Sequence, residues 1–349
     1  MRYFSHLPDD LFHQRPADVT KHSAKQQIAY GLGALLYMPA TRTDISQVIT
    51  TRKFAFLRTL AICLEDAIAD HEVAQAEQSL LQQLADLADT ELPFIFIRVR
   101  SPQQLARLAP QLRQYASVLT GFIFPKFSTD NAHAYLRELQ RLNDTLQTPL
   151  YAMPILESTH VLYKEQRLEE LLSLKSIVDC YYDMVLNIRI GATDLCGLYG
   201  LRRDATTPIY DIALVREFIT DTLNVFTRAP HDYVVSGPVW EYFDEASRAG
   251  LVREIILDRA NGIVGKTVIH PSHLPIVQAL QAVTFEEYSD ATAILDHSTV
   301  QNGVFSSEFR NKMNETKPHL RWAQKIAMRG LIYGVLADGK TYKDICASL

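Results

Sequence analysis

The 349-residue chain contains little cysteine, and its four cysteines lack the spacing of a metal site. Cys63, Cys180, Cys196 and Cys346 lie far apart with no CxxC pair, which is typical of reduced thiols in a reducing compartment. No apolar run reaches the ~20 residues that a membrane-spanning helix needs. Residues 1–16 also lack the apolar core of a secretory signal. We therefore expect a cytoplasmic protein with no membrane role.

Excess charge of one sign is also missing. The sequence has 35 Lys and Arg against 40 Asp and Glu, a net charge of -5, and its basic residues are scattered. Because nucleic-acid-binding surfaces normally cluster their basic residues, no nucleic-acid partner is expected. The 47% of hydrophobic residues is enough for a sizeable core. A single α/β barrel of about 250 residues with added segments fits this length as well as two domains do.

Apolar runs of strand length recur along the chain and alternate with helical patterns. The runs occupy residues 34–39, 60–66, 94–99, 121–126, 150–157, 184–191, 232–237 and 262–269. Helical spacing is clearest over residues 73–89, 131–146 and 211–226. Alternation of this kind predicts parallel strands with crossover helices, and eight units fit a (β/α)8 TIM barrel. The rival is a doubly wound open sheet, but its glycine-rich nucleotide-binding turn is missing after the first run, where the sequence is MPATRTD.

The segments outside the predicted barrel differ in character. We expect an N-terminal arm over residues 1–30, a barrel over 31–284 and a C-terminal helical extension over 285–349. The extension shows helical patterns at 286–297 and 320–336, and we expect it to act as a lid or an oligomer contact.

Charged residues stand at or just after six successive predicted strands. They are Arg42 after the first, Glu65 and Asp66 after the second, Arg98 and Arg100 at the third, Lys126 after the fourth, Glu157 after the fifth and Asp194 after the sixth. TIM-barrel enzymes build their sites at this end of the strands. One such residue is often only a helix cap or a solvated loop residue. Repetition at one rim favours a divalent metal ion with an anionic substrate, because carboxylates bind the cation and guanidinium groups hold carboxylates.

Two basic residues near the eighth predicted strand leave alternatives open. His270, in VIHPSH, follows the strand and is either a base or a hydrogen-bonded structural residue. Lys266 lies inside the strand, where a Schiff-base lysine is conceivable. The metal-type carboxylates Glu157 and Asp194 make the Schiff base the minor hypothesis.

The order and spacing of these segments over about residues 34–280 resemble the HpcH/HpaI aldolase and citrate lyase β-subunit family. The motifs are LYMPATR (36–42), CLEDAI (63–68), IRVR (97–100), FPK (124–126), ILES (155–158), GATDL (191–195) and GIVGKTVIHPSH (262–273). The resemblance implies a TIM barrel with Mg²⁺, or Mn²⁺ in its place, and carbon–carbon lyase activity. It also implies a homotrimer or homohexamer.

The same resemblance assigns roles to the rim residues. Glu157 and Asp194 match the family's metal ligands, and Arg98 matches the arginine that binds the substrate's carboxylate. Glu65 and Asp66 match acids near the water shell of the metal, with Arg42 and Lys126 lining the mouth. Cys63 and Arg100 depart from the family's aspartate and asparagine, and the second arginine suggests a more anionic or differently shaped substrate. Asp338 and Asp344 match a lid aspartate only loosely.

The predicted function is a Mg²⁺-dependent lyase that performs aldol or Claisen-type chemistry on a 2-oxo or 2-hydroxy acid or an acyl-CoA. A metal-stabilised enolate would form, with Glu65 or Asp66 orienting a water that acts as base. A CoA thioester is one candidate substrate. Two alternatives remain: a phosphoryl-transferring barrel enzyme, for which a glycine-rich phosphate loop is missing, and a non-catalytic subunit that acts as an assembly or binding module.

Overall fold

The computed structural model describes residues 2–88, 91–297 and 303–348. Its chain divides into two compact units. The barrel unit is Leu32–Leu274, and the terminal unit combines Met1–Gly31 with Pro275–Leu349. Within the described ranges, no helix is both long enough and apolar enough to cross a membrane.

The barrel unit is built on a sheet of eight parallel strands. They are β1 (Ala34–Pro39), β2 (Thr59–Cys63), β3 (Phe94–Arg98), β4 (Gly121–Phe124), β5 (Tyr151–Leu156), β6 (Ile188–Ile190), β7 (Val235–Ser236) and β8 (Lys266–Val268). Each strand pairs with its neighbour from β1 to β7, and β8 pairs with β1. A parallel bridge between Gly237 and Lys266 closes the ring. The predicted TIM barrel is confirmed, each predicted run supplies one strand, and the open doubly wound sheet is excluded.

The strands form where apolar side chains can be buried on both faces. Every residue of β3 and β4 is buried, as expected for parallel strands that have side chains inside the barrel and helices outside it. Glycine at position 121 is required by close approach, because a Cβ there would lie 2.0 Å from the Tyr151 carbonyl oxygen. Gly121 therefore permits the pairing of β4 with β5.

Helices connect the strands of the barrel unit. They are Ile45–Thr50, Val73–Ala85, Pro102–Leu112, Ala132–Asn143, Thr159–Leu162, Lys164–Cys180, Ala192–Leu198, Ala213–Phe226 and Arg248–Ala260, and His273–Ala279 follows β8. The three helical patterns read from the sequence are confirmed. The predicted 73–89 helix ends earlier, at Ala85, and residue 89 lies outside the described residues.

The terminal unit contains both ends of the chain. Strand Phe12–Gln14 pairs antiparallel with Val335–Leu336, and Val304–Ser306 forms a hairpin with Met313–Glu315. Its helices are Lys25–Tyr30, Phe285–His297, Thr316–Tyr333 and Tyr342–Ala347. The two predicted helical patterns of the extension correspond to the second and third of these. Their buried stripes, among them Ile294 and Ile326, pack into one core.

Candidate active site at the carboxyl ends of the strands

A cavity of about 550 Å³ opens where the barrel strands end. This volume is typical of sites for small molecules. All of its lining residues belong to the barrel unit, and the polar side chains among them are Tyr37, Cys63, Asp66, Arg98, Glu157, Arg189, Thr193, Asp194 and Thr267. The end of the barrel that TIM-barrel enzymes use for catalysis therefore holds a largely apolar cavity with several polar side chains in its wall.

Arg98, the last residue of β3, gathers three of the predicted acids. Its Nη2 lies 2.8 Å from Glu65 Oε2, 3.1 Å from Asp66 Oδ2 and 3.2 Å from Glu157 Oε1. Only 8% of Arg98 is exposed, so its pairs with the buried Glu65 and Glu157 are shielded from water and stronger than surface pairs. Asp66 is half exposed. The structure thus brings the ends of β2, β3 and β5 together through one guanidinium group.

The other donors of Arg98 are scarcely used. Its Nε is buried without a hydrogen-bond partner, and its Nη1 has a 4.0 Å contact with Cys63 Sγ. The ring of Tyr37 lies 5.7 Å from the guanidinium carbon. Burial opposes the charge, but Tyr37, Glu157 and Glu65 outweigh burial and raise the pKa of Arg98. The residue stays cationic and keeps N–H groups for a ligand.

Lys126, just beyond β4, links the acids from a second side. Its Nζ lies 2.5 Å from Glu65 Oε1 and 2.9 Å from Asp66 Oδ1, and its backbone N–H donates to Glu157 Oε1 at 2.9 Å. The backbone φ of Lys126 is +48°, a region that residues other than glycine seldom adopt and that clusters at functional sites. Burial opposes its charge, but hydrogen bonds to Glu65 and Asp66 raise the pKa of Lys126. It is a fixed cation rather than a base.

Glu65 and Asp66 differ in their readiness to take a proton. Burial and a hydrogen bond with Asp66 raise the pKa of Glu65 against the pull of Arg98. Burial also acts on Asp66, but hydrogen bonds with Glu65 and Lys126 prevail and lower the pKa of Asp66 to about 2. Asp66 is therefore ionised at neutral pH, and Glu65 takes up a proton more readily. Of the two, Asp66 is the one that lines the cavity.

Glu157 and Asp194, the predicted metal ligands, are brought together at the cavity. Glu157 follows β5 and is 5% exposed. Burial raises its pKa to about 8, and the charge and hydrogen bond of Asp194 add to this against the opposing Arg98. Asp194 lies in the first turn of Ala192–Leu198, after β6. A Cβ at Gly191 would lie 2.2 Å from Glu157 Oε2, so glycine is what lets the carboxylate approach this turn.

This pair fits a hard divalent cation. Two neighbouring carboxyl groups cannot both be ionised cheaply unless a positive charge lies between them, and carboxylate oxygens are the ligands that Mg²⁺ prefers. Among the described residues, no cluster of three or more His, Cys, Asp or Glu side chains could hold a metal ion. A two-carboxylate site would leave coordination positions for water and substrate, as Mg²⁺ sites in enzymes usually do.

Two predicted substrate-binding arginines do not line the cavity. Arg42 pairs with Asp44, its Nη2 lying 2.7 Å from Oδ2. Arg100 donates to the carbonyl oxygen of Ile68 at 3.0 Å and pairs with Asp70 at 2.5 Å. Arg100 therefore braces the loop that carries the two acids after β2. A direct role of either arginine in substrate binding stays a prediction.

The basic residues at β8 also lie away from the cavity lining. Lys266 Nζ lies 2.7 Å from Glu254 Oε1 and 2.8 Å from Asp258 Oδ2. Burial disfavours its charge, but these acids raise the pKa of Lys266, which disfavours the neutral amine that a Schiff base requires. His270 stacks on Phe243, with ring centroids 4.8 Å apart. These contacts favour structural roles.

Arg189 lines the cavity but was missed by the sequence reasoning. It is the middle residue of β6 and 1% exposed. Its Nη2 donates to Thr267 Oγ1 at 2.7 Å and its Nη1 to Asn187 Oδ1 at 3.3 Å. The available signal was a charged residue in the centre of the apolar run NIRIG.

The chain was compared with models of protein families and with known proteins. A family model described as C–C bond lyase of the TIM-barrel fold matches residues 26–335. A search of curated proteins by sequence found no match.

Solved structures share the fold. A citrate lyase from Burkholderia xenovorans LB400 aligns with a TM-score of 0.67 at 15% identity, covering 97% of this chain and 98% of its own. CitE from Mycobacterium tuberculosis, in complex with magnesium, acetoacetate and coenzyme A, aligns with a TM-score of 0.58 at 18% identity, covering 86% and 98%. The citrate lyase β subunit of M. tuberculosis, with oxaloacetate and magnesium, has a TM-score of 0.50 at 18% identity, covering 72% and 98%. At these identities the likeness is one of fold.

Proposed function

The chain belongs to the carbon–carbon bond lyases of the TIM-barrel fold, as its motif series predicted, and on that premise we propose a Mg²⁺-dependent aldol or Claisen-type lyase. Its substrate is a 2-oxo or 2-hydroxy acid. The observation that carries the proposal is the meeting of Glu157 and Asp194 at the cavity beside Arg98. A cation between two carboxylates, next to an arginine, suits an acid with an oxygen on the neighbouring carbon.

Three residues would hold the metal ion and the substrate. Glu157 and Asp194 are the metal ligands, and bound Mg²⁺ supplies Lewis-acid stabilisation of developing negative charge. Arg98 binds the substrate carboxylate through the N–H groups that the rim acids leave unused, because charge-assisted bonds from guanidinium to carboxylate are strong and directional.

The remaining rim residues position groups and move a proton. In aldol cleavage the substrate hydroxyl loses its proton, the carbon–carbon bond breaks, and its electron pair becomes an enolate that later takes up a proton at carbon. Glu65 is proposed to exchange this proton through one water, because its pKa is raised and it adjoins Asp66, which lines the cavity. Lys126 holds Glu65 and Asp66 in place through Nζ. Preorganisation of this kind stabilises the transition state without rearrangement during the reaction.

We extend the proposal to a CoA thioester as a second substrate and to Mn²⁺ as a working substitute for Mg²⁺. Support for the thioester comes from the M. tuberculosis CitE neighbour, which was solved with acetoacetate and coenzyme A. Support for Mn²⁺ comes from the oxygen-only ligand pair, since carboxylates suit both ions.

We also propose a homotrimer or homohexamer in which the extension over residues 285–349 makes subunit contacts. The described part of that extension exposes apolar side chains, with Val304 58%, Met313 54% and Trp322 38% accessible. Val304 and Met313 lie on the same hairpin, and exposed apolar side chains that join into one patch are typical of surfaces that another chain covers. Light scattering coupled to size exclusion should give three or six times the 39.6 kDa chain mass, and a monomer would contradict the proposal.

Hydrogen exchange tests the proposed chemistry before the full substrate is known. Proton NMR in D₂O follows deuterium uptake into pyruvate and into acetyl-CoA, with and without Mg²⁺, for wild type, Glu157→Gln and Asp194→Asn. Glu170→Gln is the matched control, since Glu170 is a buried glutamate whose carboxylate accepts from Thr129 rather than facing the cavity.

We expect Mg²⁺-dependent exchange in wild type and the control, and roughly 100- to 1,000-fold slower exchange in both site variants. Exchange that persists in Asp194→Asn would overturn the metal assignment. A folded wild type that exchanges neither compound would argue against enolate chemistry and favour a non-catalytic assembly subunit.

A further inference from the structure

The cavity contains a second guanidinium group that the chemistry above does not use. Resting on the proposed function for the rest of the substrate, we propose that Arg189 forms a second anion subsite, which binds the distal carboxylate of a dicarboxylic 2-oxo acid. The lyase would then prefer dianionic substrates.

Arg189 lies deeper in the barrel than the proposed metal ligands. The strand register pairs Arg189 with Ile155, and Glu157 is two residues farther along the chain, just past the end of β5. At about 3.3 Å per residue, the backbone of Arg189 lies about 6–7 Å below that of Glu157. A substrate anchored at the rim can therefore extend toward Arg189.

Arg189 lacks the counter-charge that the buried Arg98, Arg167 and Arg203 have. Arg167 pairs with Asp221 at 3.0 Å, and Arg203 pairs with Glu241 at 2.7 Å. In the part of the chain that the structure describes, no acidic oxygen lies within 4.0 Å of Arg189; its partners are neutral, and its buried Nε has no hydrogen-bond partner.

An uncompensated guanidinium in the barrel is unfavourable for the free protein. Burial lowers the pKa of Arg189, with only the nearby Tyr37 opposing that effect. Buried charges are normally paired, and an exception in a cavity wall is typical of a ligand-binding group. A bound anion would supply the missing charge and accept the unused N–H.

The neighbouring groups favour a carboxylate over a phosphate. One guanidinium matches the single charge of a carboxylate, whose two oxygens fit its planar fork. Phosphate sites usually add several backbone N–H donors, whereas Arg189 is flanked by the side chains of Tyr37, Thr267 and Asn187. Tyr37 also lies beside Arg98, so the two arginines adjoin one ring and can hold opposite ends of a short diacid.

Isothermal titration calorimetry with Mg²⁺ present tests the subsite through two matched ligand pairs. Oxaloacetate is compared with 2-oxobutanoate, and 2-oxoglutarate with 2-oxopentanoate, so that each pair differs by a carboxylate in place of a methyl group. The proteins are wild type, Arg189→Met and Arg189→Lys, with Arg167→Met as the control for removal of a buried arginine. Inorganic phosphate serves as the competing probe.

Wild type and Arg167→Met should bind the better diacid roughly 10- to 100-fold more tightly than its monoacid partner. This ratio should fall to about one in Arg189→Met and recover in part in Arg189→Lys. If Arg189→Met does not fold, Thr267→Val, which removes the hydroxyl that orients Arg189, should lower the ratio instead.

Three results would overturn the inference: no diacid preference in wild type, including no binding at all; a preference that survives in Arg189→Met; or phosphate that competes more tightly than the diacids. A different result is expected if the proposed Mg²⁺-dependent function is wrong but the Arg189 subsite is right. Wild type would then still prefer the diacid. Its binding would not depend on Mg²⁺ and would not change in Glu157→Gln.

Discussion

The barrel contains two clusters of acidic and basic side chains. The clusters are made of the same residue types but have different roles. The rim cluster consists of Arg98 and Lys126 with the acids Glu65, Asp66, Glu157 and Asp194. Arg98, Asp66, Glu157 and Asp194 line the cavity, and Glu65 and Lys126 pair with them from behind. The buried cluster consists of Lys266 and Arg203 with the acids Glu254 and Asp258, each at most 5% exposed.

Charge balance separates the two clusters. Among the fully buried groups of this cluster two bases meet two acids, and the half-buried Glu241 is a further partner of Arg203 at 2.7 Å. Tyr210 adds a hydrogen bond to Asp258 at 2.7 Å. The rim cluster has two bases for four acids, so it has a use for an added cation. Buried ion pairs that balance are a structural arrangement, whereas unbalanced charge beside a cavity is typical of a functional site. Residue type alone does not distinguish these roles.

The largest expected effect comes from unbalancing the buried cluster. Lys266→Met leaves Glu254 and Asp258 with one base fewer, and it should lower the free energy of unfolding by about 3–5 kcal/mol. Urea denaturation of wild type and variant measures this. The rate of deuterium uptake into pyruvate or acetyl-CoA, per folded molecule, should change little. Loss of activity at unchanged stability would instead revive the Schiff-base hypothesis.

Acidification should protonate His273, which would place an unpaired positive charge beside the buried cluster. His273 is buried, with Nε2 2.9 Å from the Tyr242 carbonyl oxygen. Burial lowers its pKa to about 4, and His270 and Lys266 contribute. Because the folded pKa lies below the unfolded value of about 6.5, the unfolded state takes up the proton first as pH falls.

The resulting loss of stability begins below about pH 6.5 and is complete below about pH 4, reaching about 2–3 kcal/mol at pH 4.5. The free energy of unfolding is measured at pH 7.5 and at pH 4.5. The drop between the two pH values should be smaller in His273→Gln than in wild type, by this amount. The glutamine side chain can still donate a hydrogen bond to the Tyr242 carbonyl oxygen. An equal pH dependence in wild type and variant would assign the effect to other groups.

A methyl group at the rim should disturb the proposed metal ligands. Gly191→Ala puts a Cβ against Glu157 Oε2, so the carboxylate must move. We expect Mg²⁺ to bind roughly 10- to 100-fold more weakly, the size of effect seen when metal ligands are reoriented. Ala192→Gly, one residue along, is the control. Unchanged affinity in Gly191→Ala would show that Glu157 does not need its present position.

The smallest effect is a gain in stability. Glu157→Gln removes one of two adjoining carboxyl groups whose proximity and burial are unfavourable, so the metal-free protein should be about 1 kcal/mol more stable at pH 8. Thermal unfolding in EDTA measures this, with Glu170→Gln as the matched substitution. A clear loss of stability would mean that Glu157 serves the fold through Arg98 and Lys126.

The sequence was sufficient for the barrel and for most of the rim cluster. Parallel strands end at one edge, so charged residues that follow successive apolar runs must converge, and Glu65, Arg98, Lys126 and Glu157 do. Arg42 and Arg100 are held elsewhere by acids in nearby loops, Asp44 and Asp70, which strand spacing does not reveal.

The orientation of charged residues inside strands could not be predicted. Arg189 lines the cavity, while Lys266 pairs with Glu254 and Asp258. In strands that are buried on both faces, apolar residues occupy odd and even positions alike. The alternation of apolar and polar residues therefore does not show which side chains point into the barrel and which point toward the helices.

Metal binding tests the central claim most directly. Electron paramagnetic resonance measures the free Mn²⁺ that remains when the ion is titrated into a protein. The titration is made with wild type, with the double variant Glu157→Gln/Asp194→Asn and with the control Glu170→Gln. We predict one tight site per chain in wild type and the control, displaced by Mg²⁺ and lost in the double variant. An equal number of tight sites in all three proteins would contradict the account, because the ion would then bind away from the cavity.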